Sequence, residues 1–369
     1  MATMFSKKID GETALVAGLA AGIVAWQGVH WLREADLSGH VALVTGGSRG
    51  LGFIVARELL KEGCTVAICA RDAAELERAR QELDPAAERV FAFPCDVADE
   101  AQVQQLVADV TARFGRIDVL VNNAGIIQSG SIRRQTVADF QTAMAIMFWG
   151  TVYPTLAVLP QMLERRAGRI LNVTSIGGKV AIPHLVPYGS AKFAATGFSQ
   201  GLRAELARYG ITVTTICPGL MRTGSHLNAY FKDGDEREFA LFGPMGTLPP
   251  FSMDAERAAK QIVRALKRGD AERTLGIPAT LAARFNGLFP GLTADLLGLV
   301  NRLLPDAPGD GMAGTFRQDR GLEIQERMQS PLFEKLTGWG ISAARRFNGL
   351  PGPDPTIPEH EREKPVMAT

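Results

Sequence analysis

Val41-Ala-Leu-Val-Thr-Gly-Gly-Ser-Arg-Gly-Leu-Gly52 decides the fold. Residues 41–46 form a short apolar run of the kind that makes a buried parallel strand. Gly46, Gly50 and Gly52 follow in a G-x-x-x-G-x-G spacing, and Ile54, Val55, Leu59 and Leu60 then recur at helical spacing. Strand, glycine loop and helix in that order suit a pyrophosphate. The glycines let the backbone turn tightly and approach phosphates, and the helix N-terminus offers free N–H groups and a positive dipole end. Glycines alone would fit an ordinary loop. The strand before them and the helix after them argue against that.

The alternation continues along the chain. Residues 65–70 (Thr-Val-Ala-Ile-Cys-Ala) read as a second strand, followed by strands at 90–94, 117–122, 169–173 and 211–216. Between them, 99–114 carries Val103, Leu106, Val107, Val110 and Phe114 at helical spacing, 136–163 reads as one long helix, and 189–208 as another. This pattern predicts an α/β fold, a Rossmann-like doubly wound parallel sheet. Ligands in such sheets sit at the carboxyl ends of the strands. Gly46, Asp96, Asn123, Ser175 and Pro218 all fall there.

Tyr188-Gly-Ser-Ala-Lys192 lies thirteen residues after Ser175. On a helix that spacing puts the phenol and the ammonium on one face. A nearby ammonium favours the phenolate and lowers the tyrosine pKa, and a phenol tuned towards neutrality can exchange a proton with a substrate oxygen. Many surface helices carry such a pair by chance, so the upstream dinucleotide pattern gives it its weight.

Together these segments resemble the short-chain dehydrogenase/reductase family over residues 37–275. The resemblance rests on Thr45-Gly46-x-x-x-Gly50-x-Gly52, Asp96, Asn122-Asn123-Ala124-Gly125, Ser175, Tyr188-x-x-x-Lys192, and Pro218-Gly219 with Thr223. It implies a catalytic group of Ser175, Tyr188 and Lys192, with Tyr188 as general acid/base. It implies a nicotinamide dinucleotide held by Gly46, Ser48, Arg49, Gly50, Leu51 and Gly52, by Asp96 and Val97 near the adenine, and by Asn123, Ala124 and Gly125 along the cleft. Tyr188, Lys192, Pro218, Gly219 and Thr223 complete that set. The chain departs from the family at Met147, where an asparagine is usual, and a thioether cannot supply the two-sided hydrogen bonding of an amide. That departure motivates a second reading, a catalytically weak NADP(H)-binding sensor or scaffold. The complete Ser175, Tyr188 and Lys192 set favours an NADP(H)-dependent oxidoreductase interconverting carbonyl and alcohol.

Cofactor choice is read from the end of the second strand. An NAD-selective site usually places a carboxylate there for the ribose 2′-hydroxyl. Here Ala70 and Arg71 stand instead, with Arg49 in the glycine loop as a second cation. Guanidinium groups attract a 2′-phosphate, so NADP(H) is expected over NAD(H).

A net charge of +1 gives no electrostatic case for nucleic acid. Cys64, Cys69, Cys95 and Cys217 lie in or beside predicted strands and read as small buried hydrophobes in a reduced, cytosol-facing compartment. No spacing suggests a metal site. The expected organisation is 1–36 as an N-terminal hydrophobic helix, 37–275 as the catalytic domain, 276–348 as a helical extension and 349–369 as a disordered tail. Residues 13–32 carry no charge, have the length of a bilayer span and include Gly18-x-x-x-Gly22, which makes them a candidate membrane anchor. Gln27 and His30 argue for a soluble helix and a cytoplasmic protein instead. In the extension, 279–304 read as two amphipathic helices broken at Pro290-Gly291 with Thr293 as a candidate cap. Residues 305–320 read as a loop and 331–347 as a short helix. The resemblance implies a substrate lid over 220–252, and that stretch is apolar here, from Leu220 and Met221 to Met245 and Phe251. The expected partners are a small lipophilic substrate (steroid-like, long-chain acyl or sphingoid, or retinoid-like) and a second copy of the chain.

Overall fold

The computed structural model describes residue 18 and residues 34–249, 251–305 and 317–350. Apart from Gly18, the candidate anchor at 13–32 lies outside the described residues, as do 351–369 of the expected tail. In chain order the first elements are β1 (Val41–Thr45), α1 (Gly50–Lys61), β2 (Thr65–Ala70), α2 (Ala73–Leu83), β3 (Val90–Pro94), α3 (Glu100–Phe114) and β4 (Val119–Asn122). After the two-residue β5 (Gln128–Ser129) come α4 (Val137–Met144), a π-turn (Ala145–Trp149), α5 (Gly150–Arg165), β6 (Gly168–Val173), α6 (Val186–Leu206) and β7 (Ile211–Pro218). The chain continues through β8 (Met221–Arg222), α7 (Ser225–Asn228), β9 (Tyr230–Lys232), α8 (Glu236–Thr247), β10 (Met253–Asp254), α9 (Ala255–Arg268) and β11 (Glu272–Leu275). It closes with α10 (Ile277–Leu288), α11 (Pro290–Asn301), β12 (Gln318–Arg320), α12 (Gly321–Met328) and α13 (Pro331–Arg346).

The doubly wound sheet expected from the sequence is present, in the order β11-β7-β6-β4-β1-β2-β3 and parallel throughout. Helices cover both faces, which is why β1 is buried at every residue and reads as an unbroken apolar run. On one face Phe53, Ile54 and Leu59 of α1 pack with Ile262 and Leu266 of α9. On the other, Val103 and Leu106 of α3 pack with Val158 and Met162 of α5. β1 has β2 on one side and β4 on the other, so the chain reverses its winding there and opens a crevice at the carboxyl ends. The long helix expected at 136–163 is interrupted by the π-turn, where a bond spanning five residues displaces the helical register. Val137–Arg165 is long and apolar enough to cross a bilayer by length and composition. Its packing against the sheet and α3 explains that composition as core.

The C-terminal third differs from expectation in two places. Gln318–Arg320, expected in a loop, pairs antiparallel with β9, which in turn pairs with β5. Thr293 does not cap α11. Pro290 opens that helix, and the Thr293 hydroxyl donates back to the Phe289 carbonyl at 2.9 Å. Leu227, Phe231 and Phe239 of the expected lid are buried with Ile324 and Phe333, so α12 and α13 turn part of that segment into core. Asp139 and Lys232 join the two regions through a 2.8 Å ion pair between nearly fully buried side chains. Gln318 also donates to Asp139, at 2.7 Å. Removing one member of a buried pair strands the other charge, at a cost of about 3 kcal/mol. Lys232→Met is therefore expected to lose about 3 kcal/mol in urea unfolding, and a loss below about 1 kcal/mol would show that the pair does not hold this region together.

Candidate active site

Backbone geometry shapes the crevice first. Gly46 (φ +64°) and Gly50 (φ +55°) occupy the left-handed region that side chains disfavour. A Cβ on Gly46 would lie 2.9 Å from the Ala124 Cα, and one on Gly52 only 2.1 Å from the Gly46 carbonyl oxygen. Asn123 fills the space so left, donating its side-chain amide to the carbonyls of Thr45 and Gly46 at 3.1 Å each. The Thr45 hydroxyl oxygen accepts from the backbone N–H groups of Asn123 (3.0 Å) and Ala124 (3.2 Å). The first bond of α1 runs from the Phe53 N–H to the Arg49 carbonyl at 3.3 Å, so the Leu51 and Gly52 N–H groups just before it are available to an anion.

Ser175 follows β6, and its hydroxyl oxygen accepts from the Gly177 N–H at 3.0 Å. The Tyr188 ring packs so closely on Gly177 that a Cβ there would sit 3.0 Å from the ring. Burial pushes the Tyr188 phenol above its ordinary pKa, and its hydrogen bond with Ser175 pulls the other way. The Lys192 ammonium donates to the Val173 carbonyl at 3.0 Å and is buried, which lowers its pKa to about 8. The lowering expected from the lysine is not what acts on the phenol: desolvation sets the direction, and Ser175 rather than Lys192 opposes it. Met147 is buried in the π-turn against Ala191 and Tyr188. A Cβ on Gly125 would meet both the Lys192 Nζ (3.6 Å) and the Met147 Sδ (3.8 Å), so the thioether stands beside the lysine. The Met147 carbonyl accepts from the Thr151 hydroxyl at 2.9 Å.

One cavity of about 760 Å3 is bordered by every site residue expected from the sequence except Gly52, which lies behind the loop against Gly46 and Asn123. A nicotinamide dinucleotide fits this donor set: a glycine cradle that a Cβ would fill, helix-start N–H groups, and Asp96 and Val97 at the end of the cleft beyond β3. Sequence reading did not pair Glu75 with the glycine loop. Its buried carboxylate accepts from the Ser48 hydroxyl and, at 2.5 Å, from Arg49. Arg71 is exposed and forms no ion pair among the described residues. Glu75 sits five residues past the strand end, outside the motif position that signals nucleotide choice, so only the fold brings it to Arg49. Also missed was Gly349, which borders the same cavity from the C-terminal end of the described chain.

A second cavity, of about 990 Å3, shares Ile176, Ile182, Leu185, Gly219, Leu220 and Phe242 with the first. Leu241, Met245, Phe251, Leu297 and Val300 make it largely apolar. Its polar lining includes Arg222, Asp254 and Arg257, and also Glu238, which accepts from Ser129 at 2.6 Å and lies 2.8 Å from the His184 Nδ1. Outward of it, α10 and α11 expose Leu281, Leu288, Leu292 and Leu299. The four cysteines are free and buried.

The sequence profile of the short chain dehydrogenase family matches residues 40–232. A dehydrogenase/reductase SDR family protein 7-like from Anopheles gambiae is 35% identical over 252 residues, 67% of this chain and 78% of that protein. The crystal structure of a short-chain dehydrogenase from Streptomyces avermitilis superposes with a TM-score of 0.61 at 30% identity, covering 72% of this chain and 98% of that one. A variant of actinorhodin polyketide ketoreductase with NADPH gives 0.56 at 31% identity, covering 66% and 97%. The chain belongs to the short-chain dehydrogenase family. It is an oxidoreductase of the class acting on alcohol and carbonyl groups with a nicotinamide cofactor.

Proposed function

We propose that this enzyme uses NADP(H) to interconvert a carbonyl and an alcohol on a lipophilic substrate, with Tyr188 as general acid/base. The observation that carries the reading is the meeting of Ser175, Tyr188 and Lys192 with the glycine loop around one cavity that opens beside a larger apolar one. When bound, the nicotinamide supplies or accepts the hydride. Tyr188 starts protonated, because burial disfavours its phenolate, and so it gives a proton to the substrate oxygen in reduction. Ser175 orients that oxygen from the other side. Lys192, positive at neutral pH with its pKa near 8, favours the phenolate left behind. Holding these groups in place is the protein's share of the chemistry. The apolar walls around Leu241, Met245 and Phe251 support a steroid-like, long-chain acyl or sphingoid, or retinoid-like substrate.

Ala70 and the exposed Arg71 support a 2′-phosphate, as does the ketoreductase neighbour solved with NADPH. Glu75 opposes it by neutralising Arg49. Met147 beside Lys192 favours the second reading, a nucleotide sensor that turns over poorly.

A panel of lipophilic carbonyls offered with NADPH and with NADH separates these readings. Steady NADPH oxidation supports the enzyme, whereas NADPH binding without turnover across the panel supports the sensor. Tyr188→Phe is expected to lower kcat about a thousandfold while NADPH binding stays within about threefold, and a Phe variant of normal rate would remove Tyr188 from the mechanism. Glu75→Gln frees Arg49 and is expected to lower the KM for NADPH about fivefold, leaving that for NADH nearly unchanged. A raised NADPH KM would show that Glu75 supports the phosphate site rather than opposing it. The exposed apolar helices and the uncharged run at 13–32 also support attachment to a membrane. The full chain should then sediment with phosphatidylcholine vesicles, and a chain that stays in the supernatant refutes the attachment.

A further inference from the structure

The residues after α13 return to the glycine loop from the far end of the chain. Phe347 is buried in the core cluster that contains α1, and its carbonyl accepts the Gly50 N–H at 2.9 Å. The Asn348 side-chain amide donates to two backbone carbonyls, those of Ser48 (2.8 Å) and Glu75 (3.0 Å). The Gly349 carbonyl accepts from the Asn228 amide at 2.9 Å. Asn348 takes φ +52°, a conformation that asparagine tolerates better than most residues.

These bonds join two turns that the sheet leaves separate. Ser48 lies in the turn after β1 and Glu75 in the first turn of α2, after β2. The Glu75 carboxylate links them through Ser48 and Arg49, and the Asn348 amide links their backbones. The adenosine ribose of a dinucleotide lies between these two turns in a doubly wound fold. An amide with both N–H groups on carbonyls fixes the spacing of the turns without adding charge. The Phe347 carbonyl takes only the Gly50 N–H, leaving the next two N–H groups of α1 for a pyrophosphate. The root of the segment is anchored as well: Arg346 and Arg57 both pair with Glu256, at 2.7 and 2.6 Å, and both guanidinium groups lie over the Phe347 ring.

We propose that Phe347, Asn348 and Gly349 form a strap that completes the cofactor site, with Asn348 a positioning residue for its adenosine end. The proposal rests on the reading that this cavity holds a nicotinamide dinucleotide. A strap already held in place spares the ordering cost that a mobile segment would charge against binding.

Asn348→Gly keeps the left-handed backbone accessible and removes the amide. Asn348→Asp keeps the shape but turns a carboxylate towards two carbonyls. NADPH titrated into each full-length variant, followed by nicotinamide fluorescence, is expected to give a Kd raised about tenfold for Gly and further for Asp. KM should rise in step, with kcat within about twofold. Asn286→Ala removes a comparable amide-to-carbonyl bond, to Lys179, away from both turns and should leave the Kd unchanged. Unchanged or tighter NADPH binding in both Asn348 variants overturns the strap, as does an equal rise in the Asn286 variant. Should the wild-type chain bind NADH and not NADPH, the NADP(H) reading fails while the same comparison made with NADH still decides the strap. Binding of neither dinucleotide by the wild-type chain overturns both.

Discussion

The ends of β1 and β4 are tied together by Thr45 and Asn123, and the rest of the site depends on that tie. One hydroxyl and one carboxamide satisfy four backbone groups at the point where the sheet reverses its winding. Buried backbone polar groups left without partners would each cost about 1–3 kcal/mol. The tie brings Gly46 against Ala124 so closely that no side chain fits at Gly46, and none fits at Gly52 behind it. The crevice can therefore open only outward, towards Ser175 and Tyr188, and its floor is set before any ligand arrives.

Burial is the second organising constraint, and it acts in opposite directions on the two titrating groups. Desolvation holds the proton on Tyr188 and loosens it on Lys192. The two pKa values, close together in water, are driven apart, with the phenol now the weaker acid of the pair. The lysine keeps its place because the Val173 carbonyl meets its ammonium, a bond contributed by the last residue of the strand that leads to Ser175. Met147 fills the space beside it with a polarizable, nearly neutral group.

The sheet and the side chains of the candidate site were legible because their signals are local. A buried strand is a run of apolar residues, a phosphate loop is a glycine spacing, and Tyr188 and Lys192 share a helix face through their own separation. The parts that were not legible depend on contacts between distant segments. Nothing in the sequence near Arg49 says that Glu75 will neutralise it. The π-turn at Ala145–Trp149 reads as ordinary helix because its side chains are as apolar as the helix around them. β12 lies in a stretch rich in Gly and Asp and becomes a strand only because β9 presents an edge to it. Thr293 has the chemistry of a cap, but Pro290 had already started the helix. Phe231 and Phe239 looked like lid residues because their partners, on α12 and α13, lie about a hundred residues further on.

The bond from Asn348 to Ser48 spans 300 residues of sequence. A ribosome makes the glycine loop early and this contact late, so the newly made sheet exists for a time with one wall of its crevice missing. Local βα units form without waiting for such distant closures, whose entropic cost is met last. The sheet strands are thus made before residue 348, and under the proposed strap the adenosine end of the crevice is completed only once that residue has emerged.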